Sequence, residues 1–245
     1  MEKSIDSSLS PATLGRLGGL LYLVIIACGL FTEFVVRGGM VVPGDAGATA
    51  ANIVANPELY RIGFVSDLVM ILADLSLAVV LYVLLRPVNQ ALALAAAFTR
   101  LAMDATLAVN LLNHFQALIL LSGADYLGAF SAAQLHAMVG VSLEAHSIGY
   151  SIGLVFFAFH CLVLAYLLKR SAYFPSVFGV LFALSFVSYL TDSMAKFLVP
   201  GYDTADFAFI MLPALITEVS FCLWLLIKGT SSRAAKPAQV ALASS

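Results

Sequence analysis

The chain has 245 residues, of which 62% are hydrophobic and only 11% are charged, and its formal net charge at pH 7 is −2. A soluble domain needs about 25% charged residues to cover its surface, so this composition excludes a soluble globular domain as well as a disordered chain. The slightly acidic balance offers no basic surface to phosphates, so we expect no nucleic-acid partner. The remaining class is a protein with several membrane spans, whose partner is the lipid bilayer.

Six apolar runs are each long enough to cross a bilayer as a helix, which takes roughly 20 residues. In chain order they cover about 14–36, 60–85, 89–122, 143–168, 174–198 and 205–228. The first loop contains Pro43-Gly44-Asp45 before an alanine-rich stretch, which predicts a short interfacial helix capped by Asp45. In the third loop, the mildly amphipathic segment 131–143 predicts a second interfacial helix before the fourth span. The fold class predicted is an all-α, six-transmembrane-helix bundle.

Basic residues predict the orientation of this bundle, because they are retained on the cytoplasmic side of a membrane. If the N-terminus is inside, eight of them lie at cytoplasmic ends: Lys3, Arg16, Arg86, Lys169, Arg170, Lys228, Arg233 and Lys236. Three lie at the opposite ends: Arg37, Arg61 and Lys196. Both termini are therefore predicted to be cytoplasmic. The domains expected are an N-terminal segment over 1–13, one membrane domain over 14–228 and a disordered tail over 229–245.

Several short motifs carry a family resemblance that extends from residue 14 to the sixth span. They include Leu-Gly-Gly-Leu-Leu-Tyr-Leu at 17–23, Val-Pro-Gly-Asp at 42–45, Leu-Leu-Arg-Pro-Val-Asn at 84–89 and Pro-Gly-Tyr at 200–202. In these motifs the chain resembles the bacterial domain-of-unknown-function 4386 family. The resemblance implies a multi-span protein of the bacterial cytoplasmic membrane with no assigned activity, and it brings no catalytic residues with it.

Ionisable side chains within the spans are the candidate functional residues, because each costs about 2.5 kcal/mol or more in lipid. They are Asp67, Asp74, Arg100, Asp104, His160, Asp192 and Glu218, with His114 and His146 toward the outer ends of their spans. Asp74, His160 and Glu218 each precede the basic end of their span by ten to twelve residues, a depth of about 15–18 Å. Arg100 reaches a similar level in the third span. We therefore predict that these four side chains converge near the bilayer midplane.

Two interpretations of this midplane cluster remain open. In the structural interpretation, Asp74 pairs with Arg100 and Asp104 supports the same guanidinium, because buried charges are usually paired. In the functional interpretation, the carboxylates that exceed the single arginine bind a proton or a small polar solute, for transport or sensing. We take the second as the predicted function. A structural subunit of a larger membrane complex is an alternative.

No cofactor is predicted, although two arrangements leave a metal or haem open. Asp74, His160 and Glu218 together offer one histidine and two carboxylates to a metal ion, without any metal-binding motif. His114 and His146 lie at comparable heights on neighbouring spans, as two axial haem ligands would. The simpler interpretation is that these two are interfacial histidines bonded to backbone or water. An intramembrane metal- or haem-dependent enzyme or redox protein is thus a further alternative.

Gly149 and Gly153 form a pattern of small residues four positions apart, which allows another helix to approach closely. That helix belongs either to the same chain or to a partner. A homo-oligomer or a membrane partner bound through these glycines is therefore an open prediction.

Overall fold

The computed structural model describes residues 9–230, and the regular secondary structure in this range is helical throughout. The range contains seven helices: α1 (Pro11–Met40), α2 (Ala46–Ala55), α3 (Pro57–Leu85), α4 (Gln90–Leu120), α5 (Ala132–Arg170), α6 (Val177–Leu198) and α7 (Leu212–Lys228). A π-helical stretch, Phe31–Arg37, lies within α1, and a 3₁₀ helix, Thr204–Met211, leads into α7. Six helical segments are long and apolar enough to cross a membrane: α1, α3, α4, α5, α6 and the stretch Thr204–Lys228, which joins the 3₁₀ helix to α7. The predicted all-α six-span bundle is confirmed, and the protein is a multi-pass membrane protein.

Side-chain caps explain where several helices begin. Ser10 Oγ accepts a hydrogen bond from Thr13 N at 3.1 Å, and Pro11 occupies the first turn of α1, where its missing N–H costs nothing. The short helix predicted in the first loop is α2, and Asp45 Oδ1 caps it by accepting from Ala48 N at 2.8 Å. These ends are local features, so the amino-acid pattern alone locates them.

The third loop differs in detail from the prediction. It contains a short 3₁₀ helix, Asp125–Ala129, but the segment 131–143 is not a separate interfacial helix. That segment forms the first turns of α5, a single helix of 39 residues that starts at a capping box of Ser131 and Gln134. No proline interrupts the sequence of α5. Its length of about 58 Å exceeds the roughly 30 Å hydrocarbon core, so part of α5 lies outside that core.

The six spanning helices pack in chain order around a closed ring. Each contacts the next, and α7 returns to pack against α1. Most of the interior is apolar, with Leu77, Leu164, Phe182 and Phe221 completely buried. Large apolar side chains such as Phe34 are exposed on the outside, where a bilayer covers them. The ring directs one face of α3, α4 and α5 toward one another, and the polar clusters lie on these faces.

Another helix of the same chain packs against the two glycines of α5. A Cβ at Gly149 would overlap the side-chain amide of Asn110 on α4, and one at Gly153 would lie 2.9 Å from Leu107 Cδ2. The glycines therefore allow α4 and α5 to pack closely. Of the two predicted neighbours, a helix of the same chain or one of a partner, the structure supports the first. A partner interface through Gly149 and Gly153 does not follow from it.

The orientation of the bundle stays a prediction, because the structure contains no membrane to distinguish its two sides. The segments predicted at the termini lie mostly outside the described residues, which begin at Leu9 and end at Thr230.

Candidate functional site

Three of the predicted midplane residues are in direct contact. Arg100 on α4 donates from Nε to Oδ2 of Asp74 on α3 at 2.7 Å, and its Nη2 bonds Oδ1 of the same carboxylate. The third nitrogen, Nη1, lies 3.0 Å from Nε2 of His160 on α5. His160 Nδ1 donates to the carbonyl oxygen of Ala96 at 2.8 Å, so its Nε2 has a free lone pair to accept from Arg100. One arginine thus ties three helices together.

Two aromatic rings lie next to this contact. The guanidinium carbon of Arg100 lies 5.2 Å from the ring centre of Phe157 and 5.8 Å from that of Tyr22. Only 1% of Arg100 is exposed. A charge removed from water in this way is tolerated only with close partners, which the bidentate carboxylate and the ring faces provide.

Asp104 is placed differently from the structural interpretation. It lies one turn after Arg100 and is 3% exposed, but the side-chain hydrogen bonds of Arg100 go to Asp74 and His160 and not to Asp104. As a carboxylate, Asp104 finds no hydrogen-bond donor for either oxygen among residues 9–230. Its carboxyl group faces that of Asp74, and the two acids can form a hydrogen bond only when one of them carries a proton.

Glu218 on α7 lies beside the cluster without contacting Arg100. Its Oε1 accepts a hydrogen bond from the hydroxyl of Tyr189 on α6. The Tyr189 ring is 5.1 Å from that of Phe157, which in turn stacks on His160 at 5.6 Å. Among residues 9–230, the hydrogen-bond partner of the Glu218 side chain is Tyr189 and not Arg100.

Asp192 is not part of the midplane cluster. It lies near the end of α6, where it accepts from the hydroxyl of Tyr202 at 2.8 Å and from that of Thr204 at 3.2 Å. Partial desolvation and the bond to Asp192 raise the pKa of Tyr202 to about 12, so the phenol remains a donor at neutral pH. These bonds hold the turn that connects α6 to the following 3₁₀ helix.

The metal set considered at the midplane is not formed. Both oxygens of Asp74 and Nε2 of His160 are occupied by Arg100, and Glu218 is bonded to Tyr189. Asp74 and His160 therefore bind the arginine, and Glu218 binds Tyr189, instead of sharing a metal ion.

A second polar cluster lies closer to the end of the bundle opposite the termini. It consists of Asp67 on α3, His114 on α4 and His146 on α5, which we call the distal cluster. One ligand atom from each residue lies within 4.8 Å of the others, and all three side chains are buried. The two histidines at comparable heights are indeed neighbours, with ring centres 5.5 Å apart. Asp67 is the residue that the haem hypothesis did not include.

Arg37 and Asn110 are site residues that sequence reasoning missed. Arg37, which lies just beyond the predicted first span over 14–36, donates to Oδ2 of Asp67 at 2.9 Å and to Glu33 Oε2 at 2.8 Å. The spacing of Glu33 and Arg37, four residues apart on one helical face, was the available signal. Asn110 donates from Nδ2 to the carbonyl oxygen of His146 at 2.8 Å, and its only signal was a polar residue within an apolar span.

Comparison with known proteins agrees with the earlier resemblance. The family model described as "Domain of unknown function (DUF4386)" matches residues 17–229. An "Uncharacterized protein" of Archaeoglobus fulgidus is 27% identical over 175 residues, which cover 71% of this chain and 86% of that relative. No solved structure matches the chain.

Proposed function

We propose that this chain, which belongs to the DUF4386 family, is a proton-binding membrane protein whose midplane carboxyls take up and release a proton for transport or sensing. The observation that carries the proposal is the position of Asp104. Its buried carboxyl group faces Asp74 and finds no other donor in the described residues, so the pair is satisfied when it shares one proton.

The charges of the cluster favour such a proton. One arginine stands against Asp74 and Asp104, with Glu218 as a third carboxyl group nearby. Two carboxylates that share a site do not both ionise readily, as the paired aspartates of aspartic proteases illustrate. In a membrane interior the second charge costs at least about 2.5–3.5 kcal/mol, and protonation removes it.

The packing favours a proton over a polar solute. Arg100 and His160 are each 1% exposed, and their side-chain nitrogens already bond to protein atoms. A solute would need exposed polar atoms and space beside them. A proton needs only an acceptor oxygen, which Asp104 offers.

Uptake of the proton changes the electrostatics of the helices around it. With Asp104 ionised, the set of Asp74, Arg100 and Asp104 carries one net negative charge, and with the proton bound it is neutral. Asp74 and Arg100 are fixed by their bidentate contact. Binding of the proton therefore alters the contact between α3 and α4. A transport or sensing step would use this change in the helix contact.

Infrared difference spectroscopy of the purified protein between two pH values tests this proposal, because a carboxyl group gives the C=O stretch of a carboxylic acid only when it carries a proton. We expect a titrating band in the wild type, its loss in Asp104→Asn, and its persistence in the control Asp125→Asn, whose side chain is exposed in a loop. A spectrum without a titrating band, or a band that survives Asp104→Asn unchanged, would refute the proposal.

Reconstituted vesicles then separate the two activities. In a transporter, a pH gradient drives a proton flux that a trapped pH-sensitive dye reports, and Asp104→Asn abolishes it. In a sensor, the infrared band titrates without any flux.

A further inference from the structure

We infer that Asp67, His114 and His146 form a binding site for a divalent first-row transition metal ion. This distal cluster shares helices with the midplane cluster, but the inference rests on different residues and different observations. It does not depend on proton binding at Asp104.

The three ligands converge from three helices. One ligand atom of each lies within 4.8 Å of the other two. In a tetrahedral site with bonds of about 2.1 Å the ligand atoms lie about 3.4 Å apart, so small side-chain rotations suffice to close the shell. Two imidazoles and one carboxylate are a donor set that zinc and iron(II) both accept.

Unpartnered buried atoms point to a ligand at this position. His114 is 0% exposed, and in the described part of the chain neither of its ring nitrogens has a hydrogen-bond partner. Oδ1 of Asp67 likewise has none within residues 9–230. Each such group costs about 1–3 kcal/mol if it stays unsatisfied. A metal ion coordinated by His114 and Asp67 uses the free lone pair of each.

The surroundings hold the ligands in position. Tyr60 stacks on the His114 ring at 4.2 Å, and its hydroxyl donates to the carbonyl oxygen of His114 at 3.0 Å. Nδ1 of His146 lies 3.3 Å from both the carbonyl oxygen and the side-chain nitrogen Nδ2 of Asn110. In the tautomer that donates from Nδ1 to this carbonyl, Nε2 of His146 is free to coordinate, as is usual for histidine ligands of metals.

The charge of the site is compatible with a cation in spite of the nearby arginine. Arg37 bonds Oδ2 of Asp67 and is shared with Glu33, so one positive charge faces two carboxylates. The opposite oxygen, Oδ1, stays available to the ion. A carboxylate ligand is commonly held by a hydrogen bond of this kind, and Arg37 therefore positions Asp67.

The arrangement fits a single ion and not haem. Two axial histidines require a porphyrin plane between them. The carboxylate of Asp67 lies within 4.8 Å of ligand atoms of both His114 and His146, in space that the macrocycle would need. Three protein ligands leave at least one coordination position for water or a substrate, which is the arrangement of catalytic zinc sites and not of closed structural ones.

Metal binding to the full-length protein tests the inference directly. The protein is purified in detergent without a histidine tag, stripped with a chelator, loaded with Zn²⁺ or Co²⁺ and desalted. We expect the wild type to retain about one ion per chain, as three protein ligands from one site imply. His114→Gln, His146→Gln and Asp67→Asn should each lower the affinity at least tenfold.

Matched controls exclude a general effect of removing histidine or charge. His136→Gln removes a histidine from α5 outside the cluster, and Asp104→Asn removes a buried aspartate from the midplane. Both should bind metal like the wild type. Conversely, His114→Gln should keep the infrared band that titrates at Asp104, so the two proposals fail independently.

Two measurements on the wild type keep the test decisive if a variant does not fold. X-ray absorption of the Zn²⁺-loaded protein should show two imidazoles in the coordination shell, and bound Zn²⁺ should raise the thermal unfolding midpoint. A wild type that retains neither ion, a shell without imidazole, or equal loss of metal in His136→Gln would overturn the inference.

Discussion

Replacing Arg100 by leucine removes the side chain that joins α3, α4 and α5. The variant loses the bidentate contact with Asp74 and the bond to Nε2 of His160. Breaking one partner of a buried ion pair costs about 3–5 kcal/mol, because the remaining carboxylate is left buried without compensation. We expect the free energy of unfolding to fall by about this amount, with lower expression. Thermal or denaturant unfolding in detergent measures it.

The second substitution, Asp74→Asn, decides whether the loss comes from this pair. In the double variant the buried carboxylate is gone, so we expect recovery of about 1–3 kcal/mol, the coupling energy typical of residues in contact. Arg61→Leu removes an exposed arginine from α3 and should change stability by about 0.5 kcal/mol or less. Strictly additive losses in the double variant, or an Arg100→Leu protein as stable as the control, would show that the partner assignment is wrong.

Three further predictions use other parts of the bundle. Glu218→Gln keeps the bond to Tyr189 but removes a titrating group, so any pH-dependent fluorescence of Trp224 should disappear while expression stays normal; a signal that persists contradicts a titrating Glu218. Gly149→Ala brings a methyl group into contact with Asn110 and should lower the free energy of unfolding by about 1–3 kcal/mol. A variant as stable as the wild type would mean that α4 and α5 are not packed this closely. A reporter fused to the C-terminus should be active only as a cytoplasmic fusion, and periplasmic activity would overturn the predicted orientation.

Much of the fold follows from local properties of the chain. The length of the apolar runs determines where the spans lie, and caps such as Asp45 determine where helices begin. The depth of Asp74, Arg100 and His160 also follows from counting residues, since the rise per residue of a helix is constant. The same arithmetic therefore predicts one level for these three side chains.

The sequence alone could not decide whether the segment 131–143 forms a separate helix or the first turns of α5. The segment 131–143 has the amphipathic pattern of an interfacial helix, and the same pattern suits a helix that continues past the bilayer and packs on α2. Helix propensity does not distinguish an interfacial helix from a continuous one. The contact with α2 distinguishes them, and α2 comes from another part of the chain.

Only the tertiary structure decided which charged groups meet. Depth is set along a helix axis, whereas a contact also depends on the direction in which each side chain points and on which helices are neighbours. The closed ring turns Asp74, Arg100 and His160 toward one another and leaves Glu218 bonded to Tyr189. It also brings Asp67 to His114 and His146, a set that no short spacing reveals because each ligand comes from a different helix. The sequence determined the level of each group in the membrane, and the packing of the helices determined its partners.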